Sequence, residues 1–319
     1  MRLNTTLPAW LLAALLTACG GGGGGSSVGS NTGVTPPTTP TPAPTPTQPG
    51  APTATGDTAA DGFNWFNYRR NQIGLSTLTR NSRIDTAAAG HSNYLRLNNT
   101  VVHSQTPGNA GFTGMELSDR LAAAGYTLVQ PYAYGEVISA ASDRSGFYHA
   151  EELIAAIYHR FVVFEPVFKE MGTGASTSNS NYTYFTADLA AINGYGAGVG
   201  RGNVANYPAT GQTGVPTSFF SDNESPDPVP NQNEVGYPIS VHADITAQLR
   251  VTSFTVRQRG ATSDLTVRLL SRATDTETPT SAAAIIPLTT LRAGTTYDVS
   301  FSGTVDSVAV SRNWSFTTK

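Results

Sequence analysis

The spacing of apolar residues changes along this chain, and that change most limits what the chain can fold into. In residues 61–205 apolar side chains recur every three or four positions, as between Ile84 and Leu95, which is typical of helices. From Gly236 onward they alternate every second position, which is typical of strands and is clearest in the run Leu265, Val267, Leu269. We therefore predict an α+β sandwich followed by a small all-β sandwich over residues 236–319.

The first 19 residues have the pattern of an export signal. Arg2 supplies a positive charge, and residues 7–16 form an apolar core that is too short to cross a bilayer as a helix. The small residues before Cys19, the only cysteine in the chain, resemble the lipobox of bacterial lipoproteins. We predict a lipoprotein signal peptide over residues 1–18 and a lipid on Cys19 that anchors the exported protein to a membrane. Gly20, where an aspartate would favour the inner membrane, indicates the outer membrane or the cell surface; an ordinary signal peptide is the alternative.

Two segments have the composition of linkers. Residues 20–56 contain no charged residue and begin with six consecutive glycines, so we predict a disordered tether rich in Gly, Pro and Thr over residues 19–60. Residues 206–235 contain five prolines and four acidic residues without a basic one. The carboxylate spacing matches no EF-hand loop, and we interpret this segment as a solvated, largely extended acidic linker.

Several polar motifs follow one another in the helical region, 61–205. They are Asn67-x-x-Arg70, Ala88-x-x-His91-Ser92, Val102-His103-Ser104, Gly135-Glu136-Val137 and Tyr158-His159-Arg160. Their order and spacing resemble the CAP superfamily (cysteine-rich secretory proteins, antigen 5 and pathogenesis-related proteins), and in particular its bacterial branch without disulfides. The resemblance implies an α-β-α sandwich with a cleft lined by histidines and acidic residues. The end of the chain, from Leu291 to Thr318, is similar to the last strands of bacterial Ig-like modules.

The resemblance also implies which residues line the cleft. His103 matches the first cleft histidine, Glu136 the glutamate after a glycine, and His159 the second histidine. A further glutamate that many eukaryotic members carry would fall at Ala156. Glu152 lies seven residues before His159 and would share its face on one continuous helix, so Glu152 is a candidate replacement.

Two imidazoles and a carboxylate suit two kinds of chemistry. His103, Glu136 and His159 would form a triad with an open position for zinc or another divalent metal ion. A carboxylate beside a histidine also orients the imidazole and raises its pKa, as general-base catalysis requires. The chain lacks a His-Glu-x-x-His helix and a Gly-x-Ser-x-Gly turn, which leaves Ser104 and Ser139 as candidate nucleophiles. We expect binding rather than catalysis and leave enzymatic activity open.

The sequence is compatible with three functions. The first is a surface-anchored binding module whose cleft takes a metal ion, a small apolar ligand or an envelope ligand; the resemblance implies sterol or lipid. The second is a cell-surface hydrolase that uses the same cleft. The third is a structural envelope protein with a vestigial cleft, in which Glu136 and His159 belong to a buried polar network. A net charge of −3 provides no basic surface for nucleic acid.

Three further polar residues have structural interpretations. His91 lies on the apolar stripe of its helix, and we predict a hydrogen-bonded core histidine rather than a cleft group. Asp119 and Arg120 are adjacent in the sequence, and we interpret them as an ion pair or a helix cap.

Overall fold

A computed structural model describes residues 48–319 of the chain. The predictions for the signal peptide, for Cys19 and for the tether up to residue 47 therefore lie outside the described residues. The tether prediction is wrong at residues 58–60, which begin the first helix. Within residues 48–319, no helix combines the length and the apolar character that crossing a bilayer requires.

The first half of the described chain contains five helices around one four-stranded sheet. The helices are α1 (Thr58–Gln72), α2 (Ser82–Asn98), α3 (Leu117–Ala123), α4 (Gly146–Ala155) and α5 (Ile157–Val163). The strands are β1 (Thr79–Arg80), β2 (Ala133–Ala141), β3 (Glu170–Thr177) and β4 (Thr183–Ala191). They lie in the order β1-β3-β4-β2, with β1 parallel to β3 and the other pairs antiparallel. The predicted mixture of helices and strands is confirmed.

Local signals set the ends of the first two helices. The Asp57 side chain accepts a hydrogen bond from the Ala60 amide and caps α1, and Gly74, with φ of +76°, follows its C-terminus. Asn81 caps α2 by accepting from the Arg83 amide. Ser82 is the first helical residue, because Asn81 already provides the capping acceptor.

The sheet lies between two helical layers. Helix α2 packs against β3 and β4 on one face, whereas α1 packs against β3, and α4 and α5 against β2, on the other. Strand β4 shows the division: Tyr184 packs with α2, and the Ser92 hydroxyl donates to Thr186 on the same face. Phe185 and Ala187, with the opposite parity, join the core formed with α1 and α4. Residues of one strand therefore face different helical layers in alternation.

A break in the chain separates α4 from α5. The sequence predicts one helix over residues 150–161, and this prediction is wrong at Ala156. That residue is extended, with φ of −67° and ψ of 116°, and it ends α4 and begins α5. The break changes the direction of the chain after the ten residues of α4, so residues seven positions apart across it no longer share a helical face.

The second half consists of antiparallel strands. They are β5 (Ala205–Tyr207), β6 (Ser218–Phe220), β7 (Glu234–Gly236), β8 (Ile239–His242), β9 (Leu249–Gln258), β10 (Val267–Ser271), β11 (Ala282–Pro287), β12 (Thr296–Val305) and β13 (Val308–Thr317). Their sheets have the orders β10-β11-β8-β5, β13-β12-β9 and β6-β7. The period of two correctly predicts strands here, and Val299, Trp314 and Phe316 lie on the buried side.

The two halves share buried side chains at α5. Ile157, Tyr158 and Phe161 pack with residues of β6, β7, β10 and β11 in one apolar cluster. The fully buried Arg160 guanidinium donates to the Pro238 carbonyl at 2.7 Å. Helix α5 therefore belongs to the core of both halves.

The prediction of a solvated linker over residues 206–235 is wrong. The segment contains β6 and β7, and residues 205–207 form the edge strand of a sheet. Glu224, in the middle of the segment, is only 2% exposed. Its carboxylate is buried because it accepts hydrogen bonds at the beginning of α5, which composition alone does not reveal.

Candidate functional site

Glu136 is the centre of a buried charge network. It lies on β2 on the face that α2 covers, and it is 6% exposed. The His103 Nδ1 atom lies 2.9 Å from Glu136 Oε1, and the Arg120 Nη2 atom donates to Glu136 Oε2 at 2.6 Å. Arg120 also donates from Nη1 to the His103 carbonyl at 2.9 Å. We call these three residues, His103, Arg120 and Glu136, the polar centre.

The carboxylate of Glu136 stays ionised. Burial on its own raises the pKa of this carboxyl, but the neighbouring His91, Arg120 and His103 outweigh burial and hold its pKa well below the usual range. Asp119 and Arg120, predicted to form an ion pair or a helix cap, have two separate roles. Arg120 pairs with Glu136, and the Asp119 side chain accepts from the Glu116 amide in a capping box.

Asp188 is a second acidic residue in the same cluster. It lies directly opposite Glu136 in the β2–β4 register and is fully buried. Burial and the adjacent charge of Glu136 raise the pKa of Asp188 well above its ordinary value. Within residues 48–319 neither of its carboxyl oxygens has a hydrogen-bond partner. Sequence reasoning missed Asp188, because only the strand register shows that it faces Glu136.

His91 is a neutral core histidine, as predicted. Its Nε2 donates to the Val102 carbonyl at 2.9 Å. Its Nδ1 accepts from the side-chain amide, Nε2, of Gln105 at 2.9 Å. Burial lowers the pKa of His91 to about 4, although Glu136 lies 3.7 Å away. With both ring nitrogens engaged, His91 supports the polar centre rather than binding a ligand.

His159 does not join the polar centre, and the prediction of one three-residue site is wrong. Its Nδ1 donates to Glu224 Oε1 at 3.0 Å. Its Nε2 is buried and, in the described part of the chain, has no hydrogen-bond partner. The physical reason is the layering of the fold: α5 packs on the face of β2 opposite to the one that carries Glu136.

Glu152 also lies away from the polar centre. It is an exposed residue of α4, in the layer of α1 and α5. The break at Ala156 removes the shared helical face with His159 on which its prediction depended.

The metal triad predicted from the sequence does not form. Among residues 48–319 no group of three or more His, Cys, Asp or Glu side chains is arranged to hold a metal ion. Glu136 uses one oxygen for His103 and the other for Arg120, and a guanidinium beside the carboxylate repels a cation. The donor set therefore does not fit zinc.

The candidate nucleophiles lie elsewhere. The Ser104 hydroxyl donates to Glu116 Oε1 at 3.0 Å. The Ser139 hydroxyl lies 2.8 Å from His149 Nδ1, in the layer of α4. In the described residues neither serine is bonded to His103, so the structure assembles no nucleophile with the base that the sequence suggested.

Exposed apolar side chains lie on the loop that leads from the polar centre to α3. Met115 is 46% exposed, and its carbonyl accepts from the Gln105 amide at 2.9 Å and from Arg120 at 3.2 Å. Phe112 is 39% exposed on the same loop, and Leu97 at the end of α2 lies against Gly111. We call Leu97, Phe112 and Met115 the apolar rim. The sequence analysis did not predict the apolar rim. The available signal was the presence of apolar residues in a glycine-rich loop, where apolar side chains are often exposed.

Comparison with protein families found a match in the first half of the described chain. The model of the cysteine-rich secretory protein family, CAP, matches residues 63–189. This match supports a CAP domain that contains the whole polar centre and the apolar rim. A comparison with curated proteins found no match.

Comparison with solved structures found partial matches. An extracellular protein containing an SCP domain from Bacillus anthracis is 23% identical, with a TM-score of 0.34 over 41% of this chain and 39% of that chain. An outer surface protein from Borrelia burgdorferi is 13% identical, with a TM-score of 0.34 over 41% of this chain and 89% of that one. Venom allergen-like protein 4 from Schistosoma mansoni is 10% identical, with a TM-score of 0.29 over 43% and 89%. The chain thus spans well under half of the Bacillus anthracis protein.

Proposed function

With a CAP domain supported over residues 63–189, we propose that this domain is an extracellular binding module for a small amphipathic ligand. The observation that carries the proposal is the position of the apolar rim beside the polar centre. The carbonyl of Met115 bonds the Arg120 guanidinium that also holds Glu136 and the His103 carbonyl. An apolar ligand body on the rim would place a polar group at His103.

The polar centre provides orientation rather than reaction chemistry. His103 is 8% exposed and is the member of the centre nearest to solvent, whereas Arg120 is 1% exposed. Ligand sites combine apolar lining with a few fixed polar groups, and Glu136 and Arg120 fix His103 in this way. The structure favours no hydrolase at this centre, because Ser104 is bonded to Glu116.

The membrane anchor and the second module complete the proposal. A lipid on Cys19 and the charge-free tether would hold the domain at the outer membrane or the cell surface. There it would be close to envelope lipids or sterol-like molecules. The sheets β10-β11-β8-β5 and β13-β12-β9 support an Ig-like arrangement for the second half. That half would present the CAP domain at a distance from the membrane.

A fluorescent fatty acid, cis-parinaric acid, tests the proposal. The full chain with Cys19→Ser is used, so that no lipid on Cys19 competes with the probe. We expect saturable binding, weakened about fivefold by Met115→Ser, because a half-exposed methionine side chain contributes about 1 kcal/mol on burial. His103→Gln is expected to weaken binding as well, by removing the oriented imidazole.

A matched control separates the rim from apolar surface in general. Phe220, in the second half, is 46% exposed like Met115, and Phe220→Ser should leave the affinity unchanged. Absence of saturable binding, or equal weakening by Phe220→Ser and Met115→Ser, would overturn the proposal. The first of these outcomes would favour a structural envelope protein.

A further inference from the structure

A carboxylate from outside the CAP match caps α5. Glu224 Oε2 accepts from the Ile157 amide at 2.8 Å, and Glu224 Oε1 accepts from the Tyr158 amide at 2.7 Å. The same Oε1 accepts from the His159 amide at 3.2 Å and from His159 Nδ1 at 3.0 Å. The helix has no side-chain cap from its own N-cap residue, Ala156.

Without Glu224 the beginning of α5 would lack acceptors. The first amides of a helix have no partner within the helix, and here they are buried among apolar residues of both halves. A negative charge at this end is also favoured by the helix dipole. One carboxylate, supplied by a segment more than 60 residues farther along the chain, therefore fixes both the beginning of α5 and the His159 ring.

Helix α5 in turn presses on the strand that carries Glu136. A Cβ atom added to Gly135 would lie 2.8 Å from Val162 Cγ1, so Val162 occupies the space of a side chain at position 135. On the other side of Glu136, Val137 packs in the same core as Val162. Gly135 thus contacts α5, and Val137 lies in the apolar core that α5 joins.

We propose that Glu224 is a positioning residue for the polar centre. Glu224 fixes α5, α5 holds the backbone at residues 135–137, and this backbone sets the distance from the Glu136 carboxylate to His103 and Arg120. The connection runs through packed and hydrogen-bonded groups at every step. The second half of the chain therefore supplies part of the support of the site in the first half. The biological use of this support rests on the proposed function, but its geometry does not.

The NMR signals of the His103 ring measure the effect of Glu224 on the polar centre without any ligand. In the full chain with Cys19→Ser, NMR at pH 7 follows the chemical shifts of the His103 ring protons, assigned with His103→Gln. We expect Glu224→Gln, which keeps the shape and removes the charge, to shift these resonances by more than their line width. The matched control is Asp222→Asn, an exposed acid two residues away, which should cause no shift.

A second variant tests the path. If the effect passes through Val162, the shifts of Glu224→Gln and Val162→Ala combine non-additively in the double variant. The proposal is overturned if Glu224→Gln speeds hydrogen exchange at residues 157–159 and leaves His103 unchanged, because Glu224 would then stabilise α5 alone. An equal shift with Asp222→Asn would also overturn it. Binding of cis-parinaric acid is measured separately, so failure of the proposed function leaves this result intact.

Discussion

The two faces of the sheet β1-β3-β4-β2 use the same residue types for different purposes. On the face toward α2, His103 and Glu136 meet with Arg120 beside an exposed apolar rim. On the face toward α4 and α5, His159 meets Glu224 in a cluster sealed by the second half of the chain. A histidine–glutamate pair is therefore a candidate site on one face and a structural connection on the other. The exposed apolar side chains near the first pair, rather than the pair itself, make the difference.

The electrostatics of the two faces differ as well. Toward α2 a buried carboxylate is balanced by a guanidinium within 2.6 Å. Toward α5 the Glu224 carboxylate is balanced by three backbone amides and an imidazole. Removal of a balancing group should therefore cost most where a full charge is left unpaired.

The largest expected effect is on the α2 face. Arg120→Ala leaves Glu136 buried without its guanidinium, and we expect the free energy of unfolding to fall by about 3–5 kcal/mol. Urea denaturation at pH 7, followed by tryptophan fluorescence, measures the change. The double variant with Glu136→Gln should recover part of the loss, because it removes the unpaired charge. A loss below about 1 kcal/mol would mean that the pair behaves like an exposed ion pair.

The next effect is on the α5 face. Glu224→Ala removes the acceptor of three amides, and we expect the free energy of unfolding to fall by about 2–3 kcal/mol. Hydrogen exchange should speed up at Ile157 and Tyr158, whose amides lose their partner. Asp222→Ala, an exposed acid in the same segment, should cost less than about 0.5 kcal/mol. Equal losses for the two variants would contradict the distinction between the capping carboxylate and the exposed one.

The sequence predicted the α2 face better than the α5 face. Motif order placed His103 and Glu136 in one cleft, and the structure brings them together. The same motif order cannot show which helical layer His159 joins, because that depends on the break at Ala156. The partner of His159 lies in a segment whose prolines and acids are typical of a solvated linker. Burial there depends on one carboxylate meeting uncapped amides, and this is a property of tertiary structure.

Acid should affect the α2 face through His91. Burial holds its pKa at about 4 in the folded protein, against 6.5 unperturbed. A histidine with a lowered folded pKa contributes stability above pH 6.5, and this contribution is lost as pH falls toward 4. Between pH 6.5 and 5 we expect His91→Gln to remove up to about 2 kcal/mol of the pH dependence of unfolding.

Urea denaturation of both proteins at several pH values isolates this contribution. His242, whose pKa burial lowers to about 3, titrates in both proteins and cancels in the difference. Glu165, whose pKa burial raises to about 8, cancels for the same reason. Parallel pH profiles for the wild-type protein and His91→Gln would show that His91 is not the group whose protonation is suppressed.

The smallest expected effect tests whether the two faces act independently. Glu152 is exposed on α4, beyond the break at Ala156, and it forms no side-chain hydrogen bond within the described residues. Glu152→Gln should change the free energy of unfolding by less than about 0.5 kcal/mol, because exposed substitutions without partners have little effect. It should also leave the His103 ring-proton resonances and cis-parinaric acid binding unchanged. If it weakened binding as much as Met115→Ser does, the ligand would have to contact the outer surface of α4, and the assignment of the site to the α2 face would fail.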